Sequence, residues 1–377
     1  MKHIFDVYPR FEINLVTGKG TFVFDENGQK YLDLYGGHGV ISIGHSHPVF
    51  VENLKKQLDK ISFYSNSILM PKQEELAAEI LEQCNYKNYE LFFCNCGAEA
   101  NENALKLASF HTKKKKVIAF KNSFHGRTAA TLNVTDNPNL SAPINIKNFD
   151  VEFLELNNKE QIVQALKKSD VSAVILEGIQ GVGGLDTPTP EFLKFLRKIT
   201  EEKNVLLILD EIQSGFGRTG KFFAHQYGEI QADLVTMAKG MGNGFPVAGV
   251  LISPKIKAKK GMLGTTFGGN YLACEASLSV LKVLKEENIL NHVLEIEKYF
   301  LEELKSLEKI KKIKGKGLML GIEFDAPISD LRKELLQKYH IFTGASANPN
   351  LLRILPPLNI QKQDLALFVK ALKTILS

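Results

Sequence analysis

Cysteine is scarce in this chain, whose 377 residues include only Cys84, Cys94, Cys96 and Cys274. So few cysteines exclude the dense disulfide framework of a small secreted scaffold, and we expect reduced thiols in a cytoplasmic protein. Cys94 and Cys96 lie two positions apart, but no further ligand follows at the short spacing that a zinc site requires. No metal site is predicted.

Long apolar runs are absent as well. No uninterrupted apolar segment approaches the roughly 18 residues of a membrane-spanning helix, and residues 1–13 lack the apolar core of a signal peptide. The net charge of +5 is dispersed, and the one dense basic run, at 113–116, has no interleaved aromatic residues. We interpret that run as the solvated end of a helix. The sequence therefore predicts neither a membrane nor a nucleic-acid partner.

The middle of the chain shows a regular alternation. From about residue 75 to 255, short apolar runs alternate with segments of helical periodicity. The runs are apolar throughout rather than at every second residue, which is typical of strands covered on both faces. Seven strands are predicted, at 89–95, 116–122, 151–156, 171–178, 205–211, 234–238 and 248–253. With helices between them, they predict the mostly parallel, doubly wound sheet of an α/β fold.

The two ends of the chain follow a different pattern. Residues 21–34 predict a hairpin that turns at Asn27 and Gly28. The C-terminal third contains three segments of helical periodicity, at 271–308, 327–339 and 362–376. One strand-like segment, at 317–324, lies between the first and the second of them. Because 377 residues exceed the usual size of one core, two domains are expected. The predicted division is 1–50 joining a small α+β domain, 51–272 as the large domain, and 273–377 as the rest of the small domain.

Two of the predicted strands end in side chains that can carry chemistry. The run at 234–238 is followed by Lys239, and the run at 205–209 is followed by Asp210. The carboxyl ends of parallel strands are where an α/β fold presents its functional groups, and lysine is the residue that forms Schiff bases. Taken singly, Lys239 is equally well read as a lysine that reaches solvent from a strand end, and Asp210 as a capping carboxylate.

Two loops that follow other strands supply further candidates. Gly97 and Ala98 open a helix directly after a strand, where backbone N–H groups and the helix dipole favour an anion. Farther along, Phe124 offers an aromatic face and Arg127 a guanidinium that can hold a carboxylate by two hydrogen bonds. An ordinary helix start and a surface turn are the structural alternatives. One cofactor, pyridoxal 5′-phosphate (PLP), accounts for all of these features together, as phosphate site, ring cover, carboxylate for the ring nitrogen and Schiff-base lysine.

The glycines at 215–220 form a second candidate site. They match the G-x-G-x-x-G pattern of a dinucleotide-binding loop and follow a strand. However, no helical pattern opens directly after them, and Phe222 occupies the hydroxyl position of a phosphate loop that would bind magnesium. A nucleotide-dependent dehydrogenase is therefore retained only as an alternative.

The motifs occur in the order found in a known family. The chain resembles the PLP-dependent aminotransferases of fold type I, class III, and among them the N-acetylornithine and N-succinylornithine aminotransferases. The resemblance covers nearly the whole chain and is carried by GHSHP (44–48), CGAEANENALKLA (96–108), SFHGRT (123–128), EGIQGVGG (177–184), ILDEIQSGFGRTG (208–220), AKG (238–240), TTFGGN (265–270) and LRILPPL (352–358). It implies the fold type I architecture, a homodimer with shared active sites, and a loop rather than a nucleotide site at 215–220.

The resemblance also implies roles for the cofactor side of the site. Lys239 would hold PLP through a Schiff base, and Asp210 would pair with the pyridine nitrogen. Gln213 would lie near the ring hydroxyl, and Phe124 would stack on the ring.

The phosphate and the substrate would be held by other groups. Gly97 and Ala98 would bind the phosphate through backbone N–H groups, and Thr266 would reach the phosphate in the partner subunit. Arg127 would bind the substrate α-carboxylate, and Arg353 matches the second carboxylate-binding arginine of the family.

Two departures from the family pattern bear on the substrate. The family usually reads EPIQGEGG, whereas this chain keeps Glu177 but has Gly178 and Val182 in place of proline and the second glutamate. In related enzymes that glutamate pairs with the arginine that matches Arg353, so this arginine is expected to be unmasked. His38 falls in a region that lines the substrate side in relatives. We hypothesise that His38, Arg353 or both accommodate a longer anionic acyl group such as succinyl, with a packing histidine as the alternative for His38.

The function implied by the resemblance is transamination in arginine biosynthesis. The δ-amine of an N-acylornithine (acetyl or succinyl) would pass to 2-oxoglutarate, giving N-acylglutamate 5-semialdehyde and glutamate. Ornithine or 4-aminobutyrate is the alternative donor, because the residues of an acyl pocket are scattered through the sequence.

Overall fold

The computed structural model of the protein describes residues 3–145, 149–167 and 170–377. Its strands are β1 (Leu15–Lys19), β2 (Phe22–Asp25), β3 (Lys30–Asp33), β4 (Glu90–Cys94), β5 (Lys116–Phe120), β6 (Val151–Leu154), β7 (Val171–Glu177), β8 (Leu206–Asp210), β9 (Leu234–Met237), β10 (Ala248–Ile252), β11 (Lys312–Lys316), β12 (Met319–Glu323), β13 (Ile341–Phe342), β14 (Gly344–Ala345) and β15 (Leu351–Ile354). They form three sheets, of which the central one positions the candidate site.

The central sheet has the strand order β4-β10-β9-β8-β7-β5-β6. The strands from β9 to β6 are parallel, and β10 pairs antiparallel with both β4 and β9. All seven predicted strands are confirmed, as is the mostly parallel sheet. Every residue of β5, β7 and β8 is buried, which explains why these strands read as continuous apolar runs.

Helices cover this sheet and build the rest of the molecule. They are α1 (Gly36–Gly39), α2 (Pro48–Leu58), α3 (Pro71–Cys84), α4 (Gly97–Thr112), α5 (Ala129–Asn133), α6 (Lys159–Ala165), α7 (Pro190–Glu202), α8 (Tyr271–Glu286), α9 (Ile289–Lys305), α10 (Ser329–Tyr339) and α11 (Lys362–Leu376). Local sequence sets several starts: the side chains of Asn158, Thr189 and Asn270 cap α6, α7 and α8 by accepting a backbone N–H. None of the helices in the described ranges is long and apolar enough to cross a membrane.

The chain ends meet in the smaller sheets. β2 and β3 form the predicted hairpin, with Gly28 at a φ of +78° in its turn. β3 also pairs in parallel with β13, so an N-terminal strand and a C-terminal strand share one sheet. The third sheet has the order β11-β12-β15-β14. The domain boundaries near residues 50 and 272 stay a prediction.

Two details refine the predicted pattern. The helical segment at 271–308 is two helices, α8 and α9, because Asn288 adopts a left-handed φ of +50° between them. The glycines at 215–220 form a turn-rich loop after β8, with Gly217 and Gly220 at positive φ and no helix opening from them. The expectation that this segment is a loop is therefore confirmed.

Candidate active site

The candidate site is a cavity of about 480 Å³ at the carboxyl edge of the central sheet. Strands β4, β5, β7, β8 and β9 all point their C-terminal ends toward it, which is where a doubly wound sheet opens a binding crevice. Eight of the predicted site residues line it: Gly97, Ala98, Phe124, Arg127, Glu177, Asp210, Gln213 and Lys239. Val182 is also in its wall.

Lys239 lies just beyond the end of β9 and begins a short 3-10 turn, Lys239–Met241. Its φ of +46° is in the left-handed region, which a lysine adopts only when the surrounding structure holds it there. Burial lowers the pKa of its amine to about 8, against the opposing effect of the Asp210 and Glu177 carboxylates. The amine therefore exchanges a proton far more readily near neutral pH than an exposed lysine does.

Asp210 is the last residue of β8 and its carboxylate is held from several sides. Oδ2 accepts hydrogen bonds from Asn101 Nδ2 at 2.7 Å and from His125 Nδ1 at 2.8 Å, and Oδ1 accepts from the backbone N–H of Ile212. Thr236 Oγ1 in turn donates to Asn101 Oδ1 at 2.7 Å. This network fixes the orientation of the Asp210 carboxylate and keeps it a buried anion with hydrogen-bond donors around it.

The N-terminus of α4 forms another wall. Gly97 begins this 16-residue helix, and a side-chain carbon at that position would lie 2.8 Å from Ile212 Cδ1. Only a glycine permits this close approach of helix and loop. Among the described residues, the N–H groups of Gly97 and Ala98 have no hydrogen-bond acceptor, so they remain available to a ligand.

Glu177 ends β7 and connects two parts of the wall. Its Oε1 accepts the backbone N–H of Phe124 at 3.0 Å, and its Oε2 accepts that of Gly181 at 2.9 Å. Burial raises the pKa of this carboxyl to about 7, with His125 lowering it and Asp210 raising it further. Both oxygens of Glu177 are thus engaged by the loops that carry the aromatic ring of Phe124 and the residues after Gly181.

Gln213 and His38 are joined across the site. Gln213 Nε2 donates to the His38 carbonyl at 3.0 Å, whereas Gln213 Oε1 is buried and has no partner among the described residues. His38 itself has a φ of +66°, and its Nε2 lies 2.5 Å from the hydroxyl of Tyr35. Burial, followed by the positive charges of Arg353, Lys239 and Arg127, lowers the pKa of His38 to about 4. The imidazole is therefore neutral at physiological pH.

Two arginines near the cavity have no carboxylate partner in the described part of the chain. Arg127 lines the cavity mouth and is exposed. Arg353, on β15, is 3 % exposed and donates from Nη1 to the Gly181 carbonyl at 2.7 Å, while its Nε is buried without a partner. An uncompensated buried guanidinium is costly, and an anionic ligand is the natural group to balance it.

Thr266 is the one predicted cofactor residue that lies outside this cavity. It is exposed and precedes Phe267, whose side chain is 58 % exposed and contacts the ring of Phe63. Its position on the surface agrees with a role toward a second subunit rather than toward the cavity of its own chain.

Some groups of the site were not assigned a role from the sequence. His125 and Asn101 bind Asp210 directly, and Tyr35 binds His38. Asn101 had a detectable signal, since it is a polar residue on the buried face of α4 next to Ala100 and Ala104. No cluster of three or more histidine, cysteine or acidic side chains that could hold a metal occurs within the described ranges.

Comparison with known families identifies relatives along the whole chain. The family model described as aminotransferase class-III matches residues 6–376. Acetylornithine aminotransferase of Bacillus subtilis (strain 168) is 39% identical, over 99% of this chain and 97% of that protein. Acetylornithine aminotransferase of Caldanaerobacter subterraneus subsp. tengcongensis is 40% identical, over 100% of this chain and 98% of that protein.

Solved structures give the same result for the fold. Acetylornithine aminotransferase of Elizabethkingia anophelis superposes with a TM-score of 0.86 at 29% identity, over 100% of this chain and 96% of that one. Ornithine aminotransferase of Toxoplasma gondii superposes with a TM-score of 0.92 at 28% identity, over 100% of this chain and 92% of that one. The latter structure is described as having partial occupancy of PLP at its active site.

Proposed function

The chain belongs to the class-III aminotransferases, and on that premise we propose that it transfers the δ-amino group of an N-acylornithine to 2-oxoglutarate. The products are an N-acylglutamate 5-semialdehyde and glutamate, and the proposed pathway is arginine biosynthesis. The observation that carries the proposal is the meeting of Lys239, Asp210 and Arg127 in one cavity. The identity of 36–40% over nearly the full chain to several proteins named acetylornithine aminotransferase supports the choice of donor.

The enzyme is PLP-dependent, and the described residues fit this cofactor. Gln213 presents a buried carbonyl oxygen that has no partner in the described part of the chain, so it can accept a hydrogen bond from a ring hydroxyl. The N–H groups of Gly97 and Ala98 have no acceptor within the described ranges, and at the close-packed start of α4 they suit a phosphate dianion. Phe124 has an aromatic face in the cavity wall, and Asp210 supplies a buried carboxylate for the ring nitrogen.

Lys239 is proposed to hold the cofactor covalently and to act as the acid and base of the reaction. When bound, PLP supplies an electron-withdrawing ring that stabilises negative charge on the substrate carbon. Once the amine of the substrate has displaced it, the Nζ of Lys239 would take up the proton that the substrate carbon loses and carry it through the 1,3-proton shift of amino transfer, for which a pKa near 8 is well matched. Asp210, held by His125 and Asn101, keeps a fixed negative charge at the edge of the sheet throughout.

Substrate carboxylates are proposed to bind Arg127 and Arg353. Arg127 lines the cavity and has no carboxylate partner among the residues that the structure describes, and Arg353 is bound to the Gly181 carbonyl. Glu177 is proposed to order this wall, because Gly181 links it to Arg353: the Gly181 N–H donates to Glu177 Oε2, and the Gly181 carbonyl accepts from Arg353 Nη1. Holding both carboxylates of a substrate places the reacting carbon near Lys239, which contributes through orientation.

The acyl group of the donor is proposed to be either acetyl or succinyl. Val182 leaves the cavity wall apolar where a carboxylate would neutralise Arg353. The neutral His38 lies within electrostatic range of Arg353 and Arg127, so this side of the site carries excess positive charge. That charge favours a succinyl group over an acetyl group, since only the former adds an anion.

A homodimer is the proposed assembly. Aromatic and aliphatic side chains are exposed together at residues 61–69 and at Phe267, with Leu69 92 % exposed and Phe63 in ring contact with Phe267. A second copy of the chain would cover this surface and bring Thr266 to the neighbouring site. Sedimentation velocity tests it: Phe267→Asp is expected to shift the species toward monomer, whereas Ile144→Asp, at an exposed aliphatic residue outside 61–69, is not. A cytoplasmic location is part of the same proposal, in keeping with four free cysteines.

A donor panel tests the proposed function. N-acetylornithine, N-succinylornithine, ornithine and 4-aminobutyrate are each supplied with 2-oxoglutarate, and glutamate formation is measured. We expect an acylornithine to give the highest kcat/KM, with succinyl at least equal to acetyl. A clear acetyl preference would remove the argument from charge, and a preference for ornithine or 4-aminobutyrate would replace the proposed donor while leaving the enzyme class intact.

A further inference from the structure

The loop at 215–220 contains a charged group that the catalytic site does not account for. Arg218 is 1 % exposed, and no carboxylate in the described ranges lies within 4 Å of its guanidinium. Burial lowers its pKa to about 9, with the charge of Asp33 opposing that effect, so the group is still a cation at neutral pH. A buried unpaired cation is normally destabilising by several kcal/mol, which calls for an explanation at this position.

The guanidinium is satisfied by backbone carbonyls from two other parts of the chain. Its Nη2 donates to Ile41 O at 3.1 Å and to Gly39 O at 3.5 Å, both in the N-terminal segment. Its Nη1 donates to Leu318 O at 3.2 Å and to Pro356 O, both beside the C-terminal sheet. One side chain of the loop after β8 thus joins three segments that are distant in sequence.

Two of the joined segments carry a group of the substrate side. Gly39 and Ile41 flank Val40, which lines the cavity, and Gly39 directly follows His38. Pro356 lies two residues after the end of β15, the strand that carries Arg353. Arg218 itself follows Asp210 along the chain. The contacts of Arg218 therefore connect the position of the substrate groups to the position of the cofactor groups.

Backbone contacts also join the Arg218 loop to the C-terminal segment at 317–318. The N–H of Leu318 donates to the Arg218 carbonyl at 2.9 Å, which makes a reciprocal pair with the side-chain contact. Gly317 has a φ of +62°, and a side-chain carbon there would lie 2.5 Å from Thr219 Cα and 2.7 Å from the Arg218 carbonyl oxygen. The C-terminal sheet can approach this loop so closely only because position 317 is glycine.

We propose that Arg218 is a positioning residue that sets the distance between the substrate-binding groups, Arg353 and the 38–41 segment, and the cofactor groups Asp210 and Lys239. Arginine is suited to this role because its planar fork offers five donors in diverging directions, whereas lysine offers three from one point. A positive charge alone does not suffice for this role, because the side chain must bind carbonyls of the N-terminal segment and of the C-terminal segments at the same time. The proposal rests on the aminotransferase reaction but not on the identity of the acyl donor.

The test compares Arg218→Lys with Arg197→Lys in the holoenzyme. Arg197 is a matched control because it binds Asp233 at 2.9 Å and has no contact with the cavity. Dissociation of glutarate, an unreactive dicarboxylate, is measured by calorimetry alongside KM for 2-oxoglutarate, cofactor occupancy and thermal unfolding. Arg218→Lys is expected to raise both the dissociation constant of glutarate and KM for 2-oxoglutarate by about 10- to 100-fold, because a small misplacement of binding groups has an effect of this size. Cofactor occupancy is expected to stay that of the wild type.

A second variant changes the C-terminal segment that contacts the Arg218 loop. Gly317→Ala leaves Arg218 in place but pushes the C-terminal sheet away from that loop, so it should also raise the dissociation constant of glutarate. If both variants lower the unfolding temperature but bind glutarate as Arg197→Lys does, Arg218 is only a structural residue and the proposal is wrong. Because glutarate binding needs no turnover, the role of Arg218 can be tested even if the protein accepts no acylornithine. Failure of the proposed donor is therefore distinguished from failure of the proposed role of Arg218.

Discussion

On the cofactor side of the cavity, Asp210 and Lys239 lie at the ends of neighbouring strands, and the Asp210 carboxylate accepts three hydrogen bonds from the protein. On the substrate side, Arg127 and Arg353 come from a loop and a separate sheet, and neither has a carboxylate partner among the described residues. The contrast teaches that the two sides are stabilised differently. The cofactor side is preorganised by the protein itself, whereas the substrate side holds positive charge that a bound anion would balance.

The largest effect is expected when the amine on the cofactor side is removed. Lys239→Ala deletes the group proposed to bind PLP covalently and to move the proton, so the rate should fall by at least about 10³-fold. Lys198→Ala is the matched control, because Lys198 is exposed on α7 and, within the described ranges, forms an ion pair only with Glu202. Single-turnover amino transfer and the visible absorption of bound cofactor are measured. Retention of both in Lys239→Ala would show that another group carries the chemistry.

Asp210→Asn is expected to have the next largest effect. The amide cannot stabilise a protonated ring nitrogen, and its N–H₂ group would face the donors of Asn101 or His125, so the rate should fall about 10²- to 10³-fold. Asn101→Ala removes one donor and leaves the carboxylate, and we expect a smaller loss of rate. Cofactor occupancy is measured in parallel, since the comparison holds only if both variants still bind PLP. Equal losses in the two variants would contradict a specific role for the Asp210 charge.

The same contrast explains what could be predicted from sequence. The seven central strands, Lys239 and Asp210 were predictable because a continuous apolar run that ends in a polar residue is a local signal. The contacts that complete the site are not local. Asn101 and Asp210 are 109 positions apart, Gln213 and His38 are 175 apart, and their pairing depends on how sheets and helices pack.

On the substrate side, the resemblance identified Arg353 but not its surroundings. Its hydrogen bond to Gly181, 172 positions away, and the engagement of both Glu177 oxygens by backbone N–H groups follow only from the structure. The loop at 215–220 shows the same limit. Its glycines suggested a nucleotide site or a plain loop, and no sequence pattern indicated that Arg218 joins the two chain ends.

Val182→Glu makes the substrate side resemble the cofactor side by adding the missing counter-charge. Val182 follows Gly181, whose carbonyl already holds Arg353, so a carboxylate at this position should pair with the guanidinium and compete with substrate. KM for 2-oxoglutarate is expected to rise about tenfold, equivalent to about 1.4 kcal/mol of lost binding. Val182→Gln is the control of equal size without charge. An equal rise in both variants would mean that bulk, not charge, is responsible.

The smallest expected effect concerns His38, whose neutral imidazole is held among the cations of the substrate side. Its pKa is about 4 in the folded protein, against an ordinary value of 6.5, mainly because of burial and then because of Arg353, Lys239 and Arg127. Between these two values the unfolded state binds more protons than the folded state, so the contribution of His38 to stability is lost as the pH falls from 6.5 to 4. Because the side chain is partly exposed, solvent screening should keep this contribution below about 1 kcal/mol.

Comparison with His38→Asn isolates this contribution, since asparagine tolerates the left-handed backbone at this position. Urea unfolding at pH 4 and pH 6.5 should show a smaller loss of stability for the variant than for the wild type. Tyr35→Phe removes the hydroxyl that contacts His38 Nε2 and keeps the titrating ring, so it should retain most of the wild-type pH dependence. If His38→Asn and the wild type lose the same stability over this range, the cations of the substrate side do not act on His38, and the charge argument for a succinyl donor loses that support.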